Sequence, residues 1–93
     1  MTQYEIQHQE EENLFYVALE SGQRAYLKYR HSGLESAVPQ VDFFSTFVPD
    51  SHRGKGLASK LVDRGFAWAD GQGLHITSSC WYASRKLEKR SSV

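Results

Sequence analysis

Arg53, Gly54, Lys55 and Gly56 stand in a row, directly after a strand-like run and directly before a helix-like one. Two glycines let the backbone take left-handed angles and come close to a ligand, and the first NH groups of a helix have no partner inside it. Arg53 and Lys55 add positive charge where the helix dipole is already positive. Such a set can receive an anion, and a diphosphate suits it better than a carboxylate; the plainer reading is that the glycines only let the chain turn into the helix. Two nucleotide loops are excluded by residue order. "GKGLASK" is not a Walker A sequence, and Ser59 takes the third glycine position of a dinucleotide fingerprint.

A second group of candidates is Cys80 and Tyr82, in "SCWYASRKLEK". The single cysteine has three readings: a nucleophile, a lining of a reactive site, or a small packed hydrophobe. Tyr82 is either a proton donor to a leaving group or a packing aromatic. The histidines at 8, 31, 52 and 75 lack metal-ligand spacing, so no metal is expected. Most of them are expected to face solvent, with His52 a loop residue rather than a phosphate contact.

The elements that must position these residues follow from periodicity. "LFYVALE", Leu14–Glu20, and "RAYLKYRH", Arg24–His31, read as a hairpin, with Ala25, Leu27 and Tyr29 on one face and Arg24, Tyr26, Lys28 and Arg30 on the other. A weaker strand near Tyr4–His8 is expected at the edge. Gly33 and Pro39 mark a loop before a fourth strand, Val41–Val48. Beyond Pro49 the apolar spacing changes to that of a helix, with Leu57, Ala58, Leu61, Val62, Gly65, Phe66 and Ala69 on one face and Gly71 and Gly73 at its end. "LHITS" is a fifth strand, joined to the fourth by a right-handed crossover with parallel strands, and "WYASRKLEKR" is a last helix with basic residues towards its C-terminal end. The expected fold is α+β: a mixed five-stranded sheet with one β-α-β crossover and a C-terminal helix.

At 93 residues one domain is expected over positions 1–93, burying ~60% of the surface that the unfolded chain exposes. The 11 basic and 11 acidic residues cancel, which argues against nucleic acid as a partner. One cysteine excludes an internal disulfide, and the start has neither the basic end nor the apolar run of a secretion signal, so a cytoplasmic setting is expected. No apolar run is long enough to cross a bilayer. The acidic run Glu10–Glu12 before Asn13 reads as a solvated turn, which would favour a cationic amine if it lay at an acceptor mouth. No feature of the sequence fixes the oligomeric state.

"RGKGLA", Arg53–Ala58, matches Arg/Gln-x-x-Gly-x-Gly/Ala, and the chain resembles the general control N-acetyltransferase-related superfamily, GNAT. The order of meander, fourth strand, loop and helix, fifth strand and last helix is similar to a small, shortened branch with a Cys-x-Tyr after the fifth strand, here Cys80 and Tyr82. The resemblance implies an N-acetyltransferase that moves an acetyl group from acetyl-coenzyme A to a primary amine, on a small molecule or on a protein lysine or N-terminus. The alternative is a coenzyme A-binding sensor or interaction module without catalysis. By the same resemblance Arg53, Gly54, Lys55, Gly56, Leu57 and Ala58 would hold the pyrophosphate, and the pantetheine arm would lie near Phe47 and Val48. Cys80 and Tyr82 would stand at the thioester. Trp81 and the basic tail have no counterpart in the pattern, which leaves the acceptor side open.

Overall fold

A computed structural model of the protein describes residues 4–20, 22–32, 39–54 and 56–91. Among the described residues five strands and two α-helices follow in chain order: β1 (Gln7–Gln9), β2 (Leu14–Ala18), β3 (Arg24–Ser32), β4 (Gln40–Phe47), α1 (Leu57–Gly71), β5 (His75–Ser78) and α2 (Trp81–Ser91). The five strands form one sheet in sequence order, antiparallel from β1 to β4 and parallel between β4 and β5. The mixed sheet and single crossover are those expected. The segment 33–38 of the expected loop lies outside the described residues.

The alternation in β3 does what its sequence implies. Ala25, Leu27 and Tyr29 are buried, whereas Arg24, Lys28 and Arg30 are exposed on the opposite face. The apolar stripe of α1 covers the buried face through Leu57, Leu61, Val62, Gly65, Phe66 and Ala69. Gly65 sets how closely it does so. A Cβ there would lie 2.9 Å from Leu27 Cδ2 and 2.9 Å from Phe43 Cε1, so any larger residue would have to push these side chains aside to keep this approach of helix to sheet. Ala58 is half-buried rather than part of the core, because it lines a cleft described below.

Two expectations need correction. The edge strand is shorter and later than Tyr4–His8: ladder pairing covers Gln7–Gln9, while Tyr4 and Ile6 pack against the core. The acidic run, by contrast, is the exposed turn expected between the first two strands, a single turn of 3-10 helix, Glu10–Glu12, stopped by Asn13 in the left-handed conformation with φ 56°. The histidines do not mostly face solvent. His31 and His75 are exposed, but the ring of His8 stacks on Phe15 at 4.0 Å and bonds to the Tyr29 hydroxyl at 2.7 Å, and His52 is buried. Burial lowers the pKa of His8 and raises that of Tyr29 to about 12.

Candidate functional site

β4 and β5 pair from Gln40 with His75 to Phe43 with Ser78 and then separate. Beyond that point β4 continues to Phe47 with a partner on its β3 side only. The chain leaving β5 turns away: the NH groups of Ser79 and Cys80 both reach back to the Phe43 carbonyl, at 3.1 and 3.3 Å, and α2 begins. The result is a wedge between two diverging strands, with backbone of β4 free of a β5 partner along one wall. An extended ligand that carries amide groups can add itself to such an edge.

At the β4 side of the wedge the chain passes through a 3-10 turn, Asp50–His52, and the glycine loop into α1. Gly54 and Gly56 hold φ of 84° and 77°, angles that L side chains rarely take, and nothing lies within 4 Å of a Cβ built at either. The space over the loop is open. Gly56 is the N-cap of α1; no side chain caps the helix and no acidic residue stands in its first turn. The first-turn NH groups and the dipole therefore meet no competing carboxylate from their own helix, which fits an anionic group such as a diphosphate. Of the expected loop residues, Arg53, Gly54, Gly56, Leu57 and Ala58 line a recess of about 300 Å³ together with Val48 and Tyr82. Lys55 lies outside the described residues.

Arg53 is less available than its position suggests. Its Nε donates to the Val48 carbonyl at 3.2 Å and its guanidinium pairs with Asp50 at 2.8 Å. The cation braces the loop against the end of β4. His52 braces it from below. A carboxylate only accepts, so His52 Nε2–H donates to Glu20 at 2.8 Å, and Nδ1 takes the Ser51 hydroxyl at 2.8 Å. The bond to His52 is the main reason that the Glu20 carboxyl is held below its usual pKa. His52 is thus a buried anchor for the loop.

The recess continues into a second space of about 440 Å³, since Val48, Arg53, Ala58 and Tyr82 line both. Its far end is formed by Thr46, Phe47 and Cys80. All the described candidates, from the loop to Phe47, Cys80 and Tyr82, border this one cleft. Cys80 precedes α2, and its carbonyl accepts the Ser84 NH at 2.9 Å, so the thiol sits at a helix N-terminus. Burial alone would disfavour the thiolate. Hydrogen bonds from the Thr46 hydroxyl, 3.4 Å from Sγ, and from the backbone NH groups of Ala83, Tyr82 and Thr46 outweigh it, so that the thiol pKa is lowered. Such a thiol is more ionised at neutral pH than a free cysteine.

A polar framework missed in the sequence holds this end. Asp42, 6% exposed, accepts from Thr77 and Ser79 at 2.9 Å each and pairs with Arg30 at 3.3 Å. Ser78 donates from its hydroxyl to the Phe43 carbonyl at 3.1 Å and the Cys80 carbonyl at 2.9 Å. These bonds fix the place where the strands part. The only sequence signal was the run of hydroxyl residues Thr77, Ser78 and Ser79 directly before the cysteine. Thr46, which shapes the thiol, carried none.

Residues 14–93 match the family model of the GCN5-related N-acetyl-transferases. Protein NATD1 of Bos taurus is 30% identical over 85 residues, covering 90% of this chain and 72% of that protein. Protein NATD1 of Xenopus tropicalis is 28% identical over 85 residues, covering 90% and 74%. Among solved structures, an aminoglycoside acetyltransferase from an uncultured soil metagenomic sample superposes with a TM-score of 0.55 at 19% identity, over 70% of this chain. The chain spans 45% of the length of that enzyme, and the likeness is one of fold.

Proposed function

The chain belongs to the GCN5-related N-acetyltransferase family, and from that footing we propose that it moves an acetyl group from acetyl-coenzyme A to a primary amine. The observation that carries the reading is the single cleft that joins an open, glycine-built helix N-terminus to an activated thiol. The loop at Gly54 and Gly56, with Leu57 and Ala58, holds the diphosphate through backbone NH groups, and Arg53 keeps the loop in shape. Lys55 adds charge there. The backbone at Phe47, the last residue of β4, and at Val48 just beyond it, whose carbonyl Arg53 holds, lies along the edge that the amide-bearing arm follows.

Bound acetyl-coenzyme A supplies an activated thioester. Cys80, as thiolate, attacks the acetyl carbon and takes the acetyl group, while the Tyr82 hydroxyl gives its proton to the departing thiolate. The acceptor amine then attacks the acetyl carbon on Cys80; the carbon–sulfur bond breaks, the thiolate is restored, and the amine proton returns to Tyr82. Atoms and protons balance over the cycle.

The test is release of free thiol from acetyl-coenzyme A with a panel of primary amines, together with intact mass of the protein. Expected are amine-dependent thiol release and an added acetyl mass on Cys80 that an amine removes. Coenzyme A binding without thiol release would instead fit a binding module without catalysis.

A further inference from the structure

On the face of the sheet opposite α1, a shallow cavity of about 400 Å³ is lined by Leu14, Gln23, Arg24, Tyr26, Lys28 and Phe47. Phe47 also lines the cleft that contains Cys80, so this residue is shared by the two spaces. It is 40% exposed and its ring lies 5.4 Å from that of Tyr26. The charged members of the cavity are Arg24 and Lys28. Neither has a carboxylate partner among the described residues; each rests on an aromatic face, Arg24 on Tyr16 at 4.5 Å and Lys28 on Tyr26 at 5.1 Å. The acidic run Glu10–Glu12 lines neither space.

We propose that this cavity is the acceptor site, and that it takes a primary amine whose other end is an aromatic or apolar body bearing an anionic group. The proposal rests on the acetyltransferase reading above and gives it a substrate class. The anionic group faces Arg24 and Lys28, the ring stacks on Tyr26 and Phe47, and the amine reaches past Phe47 towards Cys80. Charge complementarity selects this occupant over a polyamine, which would bring ammonium groups against two cations that meet no carboxylate among the described residues.

Three matched probes differ only in the para substituent: para-(aminomethyl)benzoate, benzylamine and para-xylylenediamine. Acetylation of each is followed by mass, and binding of each by chemical-shift changes in isotope-labelled protein. The benzoate is expected to be acetylated with a kcat/KM about five- to tenfold above that of the diamine, and to shift resonances of Arg24, Tyr26, Lys28 and Phe47. Arg24→Glu combined with Lys28→Glu should reverse that order while coenzyme A affinity stays as in the wild type. Equal or better use of the diamine by the wild type would overturn the acceptor proposal and leave the acetyltransferase reading standing. Shifts at the four residues without acetylation would overturn the acceptor proposal and leave only a cavity that binds an anionic amine. Neither shifts nor acetylation with any probe would overturn the proposal, and coenzyme A affinity would then decide the reading beneath it.

Discussion

The two ends of the cleft are built in opposite ways. At the glycine loop the surface is backbone: positive φ at Gly54 and Gly56, no side-chain cap, and open space where Cβ atoms would stand. At Cys80 it is a lattice of side-chain hydrogen bonds, in which Asp42, Thr46, Ser78 and Ser79 each hold a neighbour. A backbone site is lost when its shape is obstructed and tolerates the loss of a charge. A side-chain site fails through single partners and leaves the far end untouched.

The largest expected effect breaks the first half of that contrast. Gly56→Val puts a branched side chain at a φ that costs about 1–2 kcal/mol for an ordinary L residue, and fills the open cradle. Calorimetric titration of the folded variant should show coenzyme A binding weakened by about tenfold or more, whereas Arg53→Ala should weaken it only a few-fold, because its guanidinium is already paired with Asp50. Equal losses would make the loop a side-chain site after all.

Next in size is the framework at the other end. Asp42→Ala leaves the hydroxyls of Thr77 and Ser79 and the Arg30 guanidinium without their shared acceptor, at a cost of about 1–3 kcal/mol. Denaturant unfolding measures it. A neutral result would mean that the point of strand separation is held by the apolar core alone. Gly65→Val tests that core separately, since its side chain must displace Leu27 and Phe43, and a loss of about 1–3 kcal/mol is expected.

A smaller effect concerns the thiol. Alkylation of Cys80 by iodoacetamide should rise with pH through a midpoint below that of the same cysteine in the unfolded chain, and Thr46→Val should move that midpoint upwards. Cys80→Ala and Cys80→Ser should both lose most turnover with coenzyme A affinity unchanged. Modest losses would leave the residue a lining of the site.

The smallest effect is acidic. Glu20 has a depressed folded pKa through its bond with His52, so its contribution to stability is present at neutral pH and fades as pH falls through that value. Glu20→Gln should flatten this part of the stability profile. An unchanged profile would mean that the bond does not stabilise the loop.

The parts legible in the sequence were those written in local patterns. Alternation in Arg24–His31, the stripe from Leu57 to Ala69 and the glycines of the loop each encode their own structure within a few residues, and the parallel pairing follows from the crossover they imply. What stayed hidden depends on distant partners. His52 looked like a loop residue because its acceptor, Glu20, is 32 positions away, and Asp42 drew no attention because Thr77 and Ser79 reach it only once β5 lies alongside β4. Arg53 read as a ligand cation, although Asp50 three residues earlier already holds it. Thr46 gained a role only when the strands parted beside Cys80.

The comparison of coenzyme A with pantetheine tests the central claim most directly, since pantetheine keeps the arm and lacks the diphosphate. Binding to the folded state alone adds about 2.7 kcal/mol at a ligand concentration a hundredfold above Kd, which for a domain of this size raises Tm by about 10–20 °C. Thermal unfolding should show a rise of that order with coenzyme A and little change with pantetheine at the same concentration. Equal shifts for the two would contradict the account, because the binding energy would then lie along β4 and not at the glycine loop.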